Sequence, residues 1–294
     1  MTALTLKAPA KINLTLEVLR KRPDGFHEVA LLLQTISLFD TLTLEEASEI
    51  SLECTDASLA TSDNLVVRAA HLLQETTGSQ KGVRMYLKKE IPIAAGLGGG
   101  SSDAAGALQG LNQLWELGLS HSELEALGAT LGSDVPFFLN GGTSLCLGRG
   151  EQVEPLPAAN LPWIVLLCPD ILLESKTAAL YARLPADRRT RGALTFKLAG
   201  RIRSGGDIPP DLLFNAFEDE ALHAFPGLAD YRSEMLRAGA ETVHLSGTGP
   251  SLYALFSGRP AAVAARALLG HARGWRAYLV EAWQPDGAAP VSSR

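Results

Sequence analysis

The chain has 294 residues, 46% of them hydrophobic and 20% charged, which excludes a disordered or collagen-like polymer and leaves room for one large or two ordinary domains. A formal net charge of −6 excludes a protein that coats nucleic acid, since that needs a basic surface. Cys54, Cys146 and Cys168 are odd in number and far apart, so they support neither a zinc ribbon nor a redox pair; buried thiols in a reducing compartment are expected. Lys7 and Lys11 interrupt any signal-peptide core, and no apolar run is long enough to span a bilayer. The expectation is a soluble cytoplasmic protein with neither nucleic acid nor membrane as partner.

Residues 11–19 alternate, with Ile12, Leu14, Leu16 and Val18 on one face and Asn13, Thr15 and Glu17 on the other, which predicts a strand with one buried face. Residues 29–39 and 41–44 predict two strands joined near Asp40. Asp63 reads as the N-cap of a helix carrying Leu65, Val66, Ala69, Leu72 and Leu73 and closed by Gly78. Val83, Met85 and Leu87 mark another strand, 92–100 a loop, and Ala104, Leu108, Leu111 and Trp115 a helix over 101–116. Ser120 and Glu123 fit a capping box before a helix ending near Leu131, and Gly141-Gly142 turns into a strand at 143–147.

The prolines of 154–162 mark a boundary, which divides the chain into 1–155, 156–285 and a tail, 286–294. The continuous apolar run 163–168 predicts a central strand. Residues 183–211 are polar and arginine-rich and read mostly as loop or short helices. Helices are expected at 212–221, at 228–238 before Gly239, and after Pro260; strands are expected at 242–245, 251–257 and 275–281. The second half therefore reads as α+β, with antiparallel strands and helices on one side.

Four stretches could carry chemistry. In 91–105, IPIAAGLGGGSSDAA, glycines precede two serines and a helical pattern. Backbone without Cβ atoms can approach a phosphate chain, and the helix would aim its N-terminus at the same anion. The alternative is a flexible surface loop. The stretch is not a Walker A loop, which needs Gly-Lys-Ser/Thr, and Pro92 argues against a dinucleotide fingerprint. Lys11 opens the first strand and by itself reads as a solvated lysine. Asp134 enters the apolar run Val135-Pro136-Phe137-Phe138, where a carboxylate either caps a turn or serves a buried site. Gly247 and Gly249 form a turn between two apolar strands.

Taken together, in this order, the four stretches resemble the GHMP small-molecule kinases. The resemblance is closer to the branch of that superfamily acting on 4-(cytidine 5'-diphospho)-2-C-methyl-D-erythritol. It rests on PAKINLTLEVLRKRPDGFHEV, DNLVVRAA, IPIAAGLGGGSSDAA, LGSDVPFFLNGG and SGTGPSLYALF, and runs from about residue 7 to 257. Asp24-Gly25-Phe26-His27 is the element particular to that branch.

What this implies is a two-domain fold, α+β overall, with an N-terminal ATP-loop domain and a C-terminal ferredoxin-like α/β-plait domain. The implied activity is transfer of the ATP γ-phosphoryl group to the acceptor's 2-hydroxyl, in isoprenoid precursor synthesis by the methylerythritol phosphate pathway. Asp134 would accept the hydroxyl proton, and Lys11 would pair with it and polarise the site. Pro92, Ile93, Ala94, Ala95, Gly96, Leu97, Gly98, Gly99, Gly100, Ser101 and Ser102 would cradle the triphosphate. No resident metal is implied: Mg²⁺ arrives on ATP, within reach of Ser101 or Ser102. Asn64 and Lys89 would stand around the adenine, although Asn64 could equally cap the helix beginning there. Asn13, Phe26, His27, Tyr181 and the turn Gly247, Thr248, Gly249 would hold the acceptor, with Phe26 and Tyr181 stacking on cytosine and His27 reading its edge. Core packing is the other role open to Tyr181. The resemblance leaves room for a homodimer.

Overall fold

The computed structural model describes residues 3–171, 176–185, 189–270 and 274–285. The expected tail, 286–294, lies outside them, as do parts of the arginine-rich stretch. The chain forms two compact units. One takes in the described residues of Met1–Ala10, Leu38–Ile93 and Gly98–Asn140; the other takes in those of Lys11–Ser37, Ala94–Leu97 and Gly141–Arg294. The chain passes between the units several times because its first two strands, β1 (Ala3–Lys21) and β2 (His27–Ala47), each contribute to both.

In the first unit, the Thr41–Ala47 end of β2 runs antiparallel to β4 (Gly82–Lys88), and β4 runs parallel to β3 (Ile50–Cys54). Four helices join them: α1 (Leu65–Thr77), α2 (Gly99–Leu114), α3 (His121–Leu131) and the short α4 (Val135–Asn140). Helix α2 packs on α1, α3 and α4 through Ala104, Leu108 and Leu111, which are buried at the expected helical spacing. Gly110 lets the helix lie against the sheet, since a Cβ there would fall 2.5 Å from Leu6 and Leu44. The capping box at Ser120 and Glu123 is present with both arms made. Two expectations are corrected. The strands expected to part near Asp40 are one continuous strand, with Asp40 fully buried in it. The N-cap of α1 is Asn64 rather than Asp63: its Oδ1 accepts from the Val66 N–H at 3.0 Å.

In the second unit, β2 pairs with β5 (Thr143–Leu147), β5 with β6 (Gln152–Leu156), and β1 with the short β8 (Phe214–Asn215). The proline-rich stretch 154–162, which marked the expected boundary, therefore begins inside β6. The rest of the unit builds a plait. Its sheet has the order β11-β7-β10-β9, every pair antiparallel, from β7 (Trp163–Pro169), β9 (His244–Leu245), β10 (Leu252–Phe256) and β11 (Trp275–Val280). Helices α5 (Lys176–Arg183), α6 (Ala193–Arg203), α7 (Glu218–Ala224) and α8 (Leu228–Arg237) fall between β7 and β9, and α9 (Arg259–Leu269) between β10 and β11. That is the ferredoxin-like order, with β7 central as its unbroken apolar run demands and α8 and α9 packed against it.

Three further expectations change. Thr15 and Glu17 do not face solvent: α6 covers them, the Thr195 N–H donating to Glu17 Oε2 at 2.8 Å and Thr195 Oγ1 meeting Thr15 Oγ1 at 2.8 Å. The stretch 183–211 contains the whole of α6. No helix spans 212–221, because Asn215 leaves the helical path to hold two distant carbonyls and α7 starts only at Glu218. None of the three cysteines is in a disulfide; Cys146 and Cys168 are buried and Cys54 is partly exposed.

Candidate active site

The predicted residues form two groups, one in each unit. In the second unit, Lys11 sits midway along β1 rather than opening it, with its ammonium buried and donating to Asn13 Oδ1 at 2.5 Å. Its backbone N–H donates to the Leu97 carbonyl at 3.0 Å, which ties the strand to the glycine loop. The late turn closes on the same loop segment. Ser246 Oγ donates to the Gly96 carbonyl at 3.0 Å, and the Ser251 N–H donates to the Ala95 carbonyl at 3.1 Å.

Glycine is required on both sides of this contact. Gly96 has φ +84°, and a Cβ there would lie 2.3 Å from the Ser246 carbonyl oxygen. A Cβ on Gly247 would lie 3.0 Å from both the Gly96 carbonyl oxygen and Lys11 Nζ. Asn215 Nδ2 pins the turn by donating to the carbonyls of Leu245 (2.9 Å) and Gly247 (2.8 Å). Tyr253 Oη donates to the Asn13 carbonyl at 2.8 Å from a fully buried position that pushes its own pKa well up. Lys11, Asn13, Ala95, Gly96, Leu97, Gly247 and Gly249 are thus one packed cluster. Thr248 stands apart from it, its hydroxyl 3.1 Å from that of Thr177 in α5.

The Arg22–Phe26 turn joins β1 to β2. Asp24 Oδ1 accepts the Phe26 N–H at 3.1 Å, and Asp24 pairs with Arg22. These two bonds oppose the effect of burial and leave the Asp24 carboxyl below its ordinary pKa. His27 stacks on Tyr181, ring centroids 4.7 Å apart and 23° from parallel, and Tyr181 meets Phe217 edge-on. Burial, then Arg189 and Lys21, push the His27 imidazole pKa down. Phe26 is not part of this stack; it is 52% exposed, with the Arg149 guanidinium 4.8 Å over its ring. In this structure His27, rather than Phe26, is the ring that stands against Tyr181, and Phe26 lies under Arg149.

In the first unit, Pro92 is buried, Ile93 is exposed, and Gly98 caps α2, whose first turn is Gly99, Gly100, Ser101 and Ser102. The Ser102 hydroxyl is buried and has no partner among the described residues. Asp134 is half-buried immediately before α4, and among the described residues its carboxylate makes no capping bond to that helix. Asn64 is the helix cap, its Nδ2 also donating to the Leu59 carbonyl at 2.8 Å, so both ends of its amide are engaged. The Lys89 ammonium is buried between two carboxylates, Asp40 and Asp103. Burial first, then the neighbouring Asp40, push Asp103 up to about 7 against the pull of Lys89. The sequence reading did not single out Asp40, Asp103, Ser246, Asn215 or Tyr253. Of these, Asp103, Ser246 and Tyr253 stood inside recognised motifs, whereas Asp40 and Asn215 stood in none.

A glycine loop ending on a helix N-terminus, beside a strand lysine and a late glycine turn, defines the class. The GHMP kinases N-terminal domain model matches residues 64–142, and the GHMP kinases C-terminal model matches 203–272. The chain is 44% identical to the 4-diphosphocytidyl-2-C-methyl-D-erythritol kinase of Dehalococcoides mccartyi, over 96% of this chain and 99% of that protein. A solved 4-(cytidine 5'-diphospho)-2C-methyl-D-erythritol kinase superposes with TM-score 0.79 at 34% identity, over 94% of this chain and 98% of that one. Homoserine kinase from Cytophaga hutchinsonii gives TM-score 0.73 at 19% identity, over 97% and 96% of the two chains, and shares the fold alone. The chain belongs to the 4-diphosphocytidyl-2-C-methyl-D-erythritol kinase family within the GHMP kinases. None of its described helices is long and apolar enough to cross a membrane.

Proposed function

We propose that the chain transfers the γ-phosphoryl group of ATP to the 2-hydroxyl of 4-(cytidine 5'-diphospho)-2-C-methyl-D-erythritol, a step of isoprenoid precursor synthesis by the methylerythritol phosphate pathway. The observation that carries this reading is the cluster of Lys11, Asn13, Gly96 and Gly247. It holds a buried cation against the glycine loop, and the relatives' names supply the acceptor. The two family matches, lying on either side of residue 155, support the expected division into N- and C-terminal kinase domains.

Phosphoryl transfer needs positioning and charge neutralisation more than covalent chemistry. The backbone N–H groups of 93–102, those at the start of α2 among them, meet the triphosphate, with Pro92 shaping the loop's entrance. Lys11, held rigidly by Asn13, faces the charge that develops on the transferring group. Asp134, free of capping duty, takes the proton of the attacking hydroxyl. Among the described residues no cluster of three His, Cys, Asp or Glu could hold a resident metal. The Ser102 hydroxyl, without a partner among the described residues, fits a ligand to Mg²⁺ brought by ATP, with Ser101 beside it; an ion held there would neutralise phosphate charge. On the acceptor side, Asn13, the Gly247-Thr248-Gly249 turn, the exposed Phe26 ring and the His27–Tyr181 stack take the polyol and the cytosine. Asn64 and Lys89 lie near the adenine end, but their engaged side chains support a structural part there. The cytoplasm is the compartment we assign, where ATP is made and three cysteines outside any disulfide persist. A homodimer would add no residue to this reading.

The test is ATP consumption with Mg²⁺ across four acceptors: the cytidine-diphosphate methylerythritol, homoserine, mevalonate phosphate and galactose. Turnover of the first alone supports the proposal. Turnover of homoserine or mevalonate phosphate instead would reassign the acceptor, and turnover of none would leave a binding protein on a kinase fold.

A further inference from the structure

Asp40 belongs to none of the motifs used above, yet its carboxylate is fully buried and fully engaged. Its Oδ1 accepts the backbone N–H groups of Glu90 (2.6 Å) and Ile91 (2.9 Å), the last two residues before the loop begins at Pro92. Its Oδ2 accepts from the Lys89 ammonium. That ammonium also donates to Asp103 Oδ2 at 2.7 Å, just past the loop's far end in α2. The start of the helix is built onto this junction: a Cβ on Gly99 would lie 3.2 Å from Lys89 Nζ and 3.3 Å from Asp40 Oδ2. One side chain on β2 therefore fastens both ends of the 92–102 segment, directly at its entrance and through Lys89 at its exit.

We propose that Asp40 is a positioning residue for the phosphoryl donor, stapling the two ends of the glycine loop through Lys89 and Asp103. The proposal rests on the kinase reading above, since it assigns the loop to ATP. A loop whose ends are fixed keeps its N–H groups converged before the nucleotide arrives. A loop free at one end must be ordered each time ATP binds, and that ordering is subtracted from affinity. Asp40 has no exposed atom with which to touch a ligand, so any effect of its loss on ATP must pass through the loop.

Asp40→Asn keeps the shape and one acceptor, but turns an amide toward the Lys89 ammonium. We expect ATP affinity, measured by calorimetry on the full chain without acceptor, to weaken about 5- to 30-fold, the equivalent of re-fixing one loop residue's backbone on binding. Acceptor affinity and kcat at saturating ATP should stay within about twofold of wild type, because the chemistry is untouched. Backbone amides of 93–102 in the ligand-free chain should exchange hydrogen about tenfold faster, with β5 and β6 unchanged. Asp103→Ala, which breaks only the exit arm, should move exchange and ATP affinity the same way, and the double variant should fall short of the sum of the two.

Unchanged ATP affinity in a folded Asp40→Asn would overturn the proposal, with or without faster exchange. So would equal losses of ATP affinity, acceptor affinity and kcat, which mark general damage. If Asp40→Asn does not fold, Asp103→Ala decides: wild-type exchange and ATP affinity in that variant overturn the staple. Wild-type ATP binding is the control. Its absence refutes the kinase reading, and the exchange data then decide the staple alone.

Discussion

Gly96→Ala asks whether the glycine loop is seated on the Ser246–Gly249 turn. The residue has φ +84°, and the added Cβ meets the Ser246 carbonyl oxygen at 2.3 Å and the Gly249 carbonyl oxygen at 2.9 Å. Both obstacles are backbone, so neither can swing aside. Placing an L side chain in this left-handed region costs about 1–2 kcal/mol, and forcing an atom into a packed site costs about 1–3 kcal/mol more. The expected loss of stability is therefore roughly 2–5 kcal/mol, with a fall in melting temperature of about 2–4 °C per kcal/mol. Gly78→Ala is the control: it has φ +73° and nothing within 4 Å of the added atom, so only the backbone cost of about 1–2 kcal/mol remains. Urea unfolding of both variants gives the difference, and ATP turnover shows whether the loop has moved: kcat/KM should fall at least about tenfold in Gly96→Ala alone. Equal destabilisation of the two variants, with equal turnover, would refute the packing of loop against turn.

Asp134→Asn keeps the shape of the carboxylate but cannot take a proton; kcat should fall roughly 10²- to 10⁴-fold with ATP affinity nearly unchanged, whereas near wild-type turnover would return Asp134 to a structural part. Tyr181→Ala should weaken acceptor binding about 5- to 150-fold by loss of one stacking ring, with ATP affinity retained. If the His27–Tyr181–Phe217 stack is only core, both ligands weaken alike and the melting temperature falls. Asp103 carries a stability effect with a definite sign. Its pKa is about 7 in the fold against 3.8 in the unfolded chain, so the folded protein holds a proton there that the unfolded chain has already released. That contribution is full below 3.8 and is lost as pH rises through about 7. Asp40, Lys89 and Cys54 surround the group. Unfolding free energy should therefore decline toward neutral pH more steeply in wild type than in Asp103→Asn; parallel curves would refute the buried proton.

Where partners were local, the sequence carried the answer. The capping box at Ser120, the closure of α1 at Gly78 and the apolar run of β7 all appear as read, and residues 11–19 lie in a strand, though both of its faces are buried. Asp40 misled because a carboxylate in an apolar run looks like a break. Its partners, Lys89, Glu90 and Ile91, lie about fifty residues away and have no local signature. Glu17 and Thr15 looked solvated for the same reason: the helix that covers them begins at Ala193. In α6 the apolar face of Leu198, Ala199 and Ile202 was legible, but Arg191, Arg201 and Arg203 made the stretch look like a loop. The glycine loop, Lys11 and the late turn were recognisable as motifs. That Gly96 and Gly247 touch, and that Phe26 parts from His27, are tertiary facts that no spacing encodes.

The central claim is the reaction, and the most direct measurement follows the phosphorus atom. ATP labelled at the γ-phosphorus, Mg²⁺, the cytidine-diphosphate methylerythritol and the purified chain are combined, and the product is read by phosphorus NMR. The account predicts one labelled phosphate monoester on the acceptor's 2-hydroxyl, one ADP for each, and no such product with Asp134→Asn over the same interval. Label appearing as inorganic phosphate, on another hydroxyl, or on homoserine in place of the cytidine acceptor would contradict it.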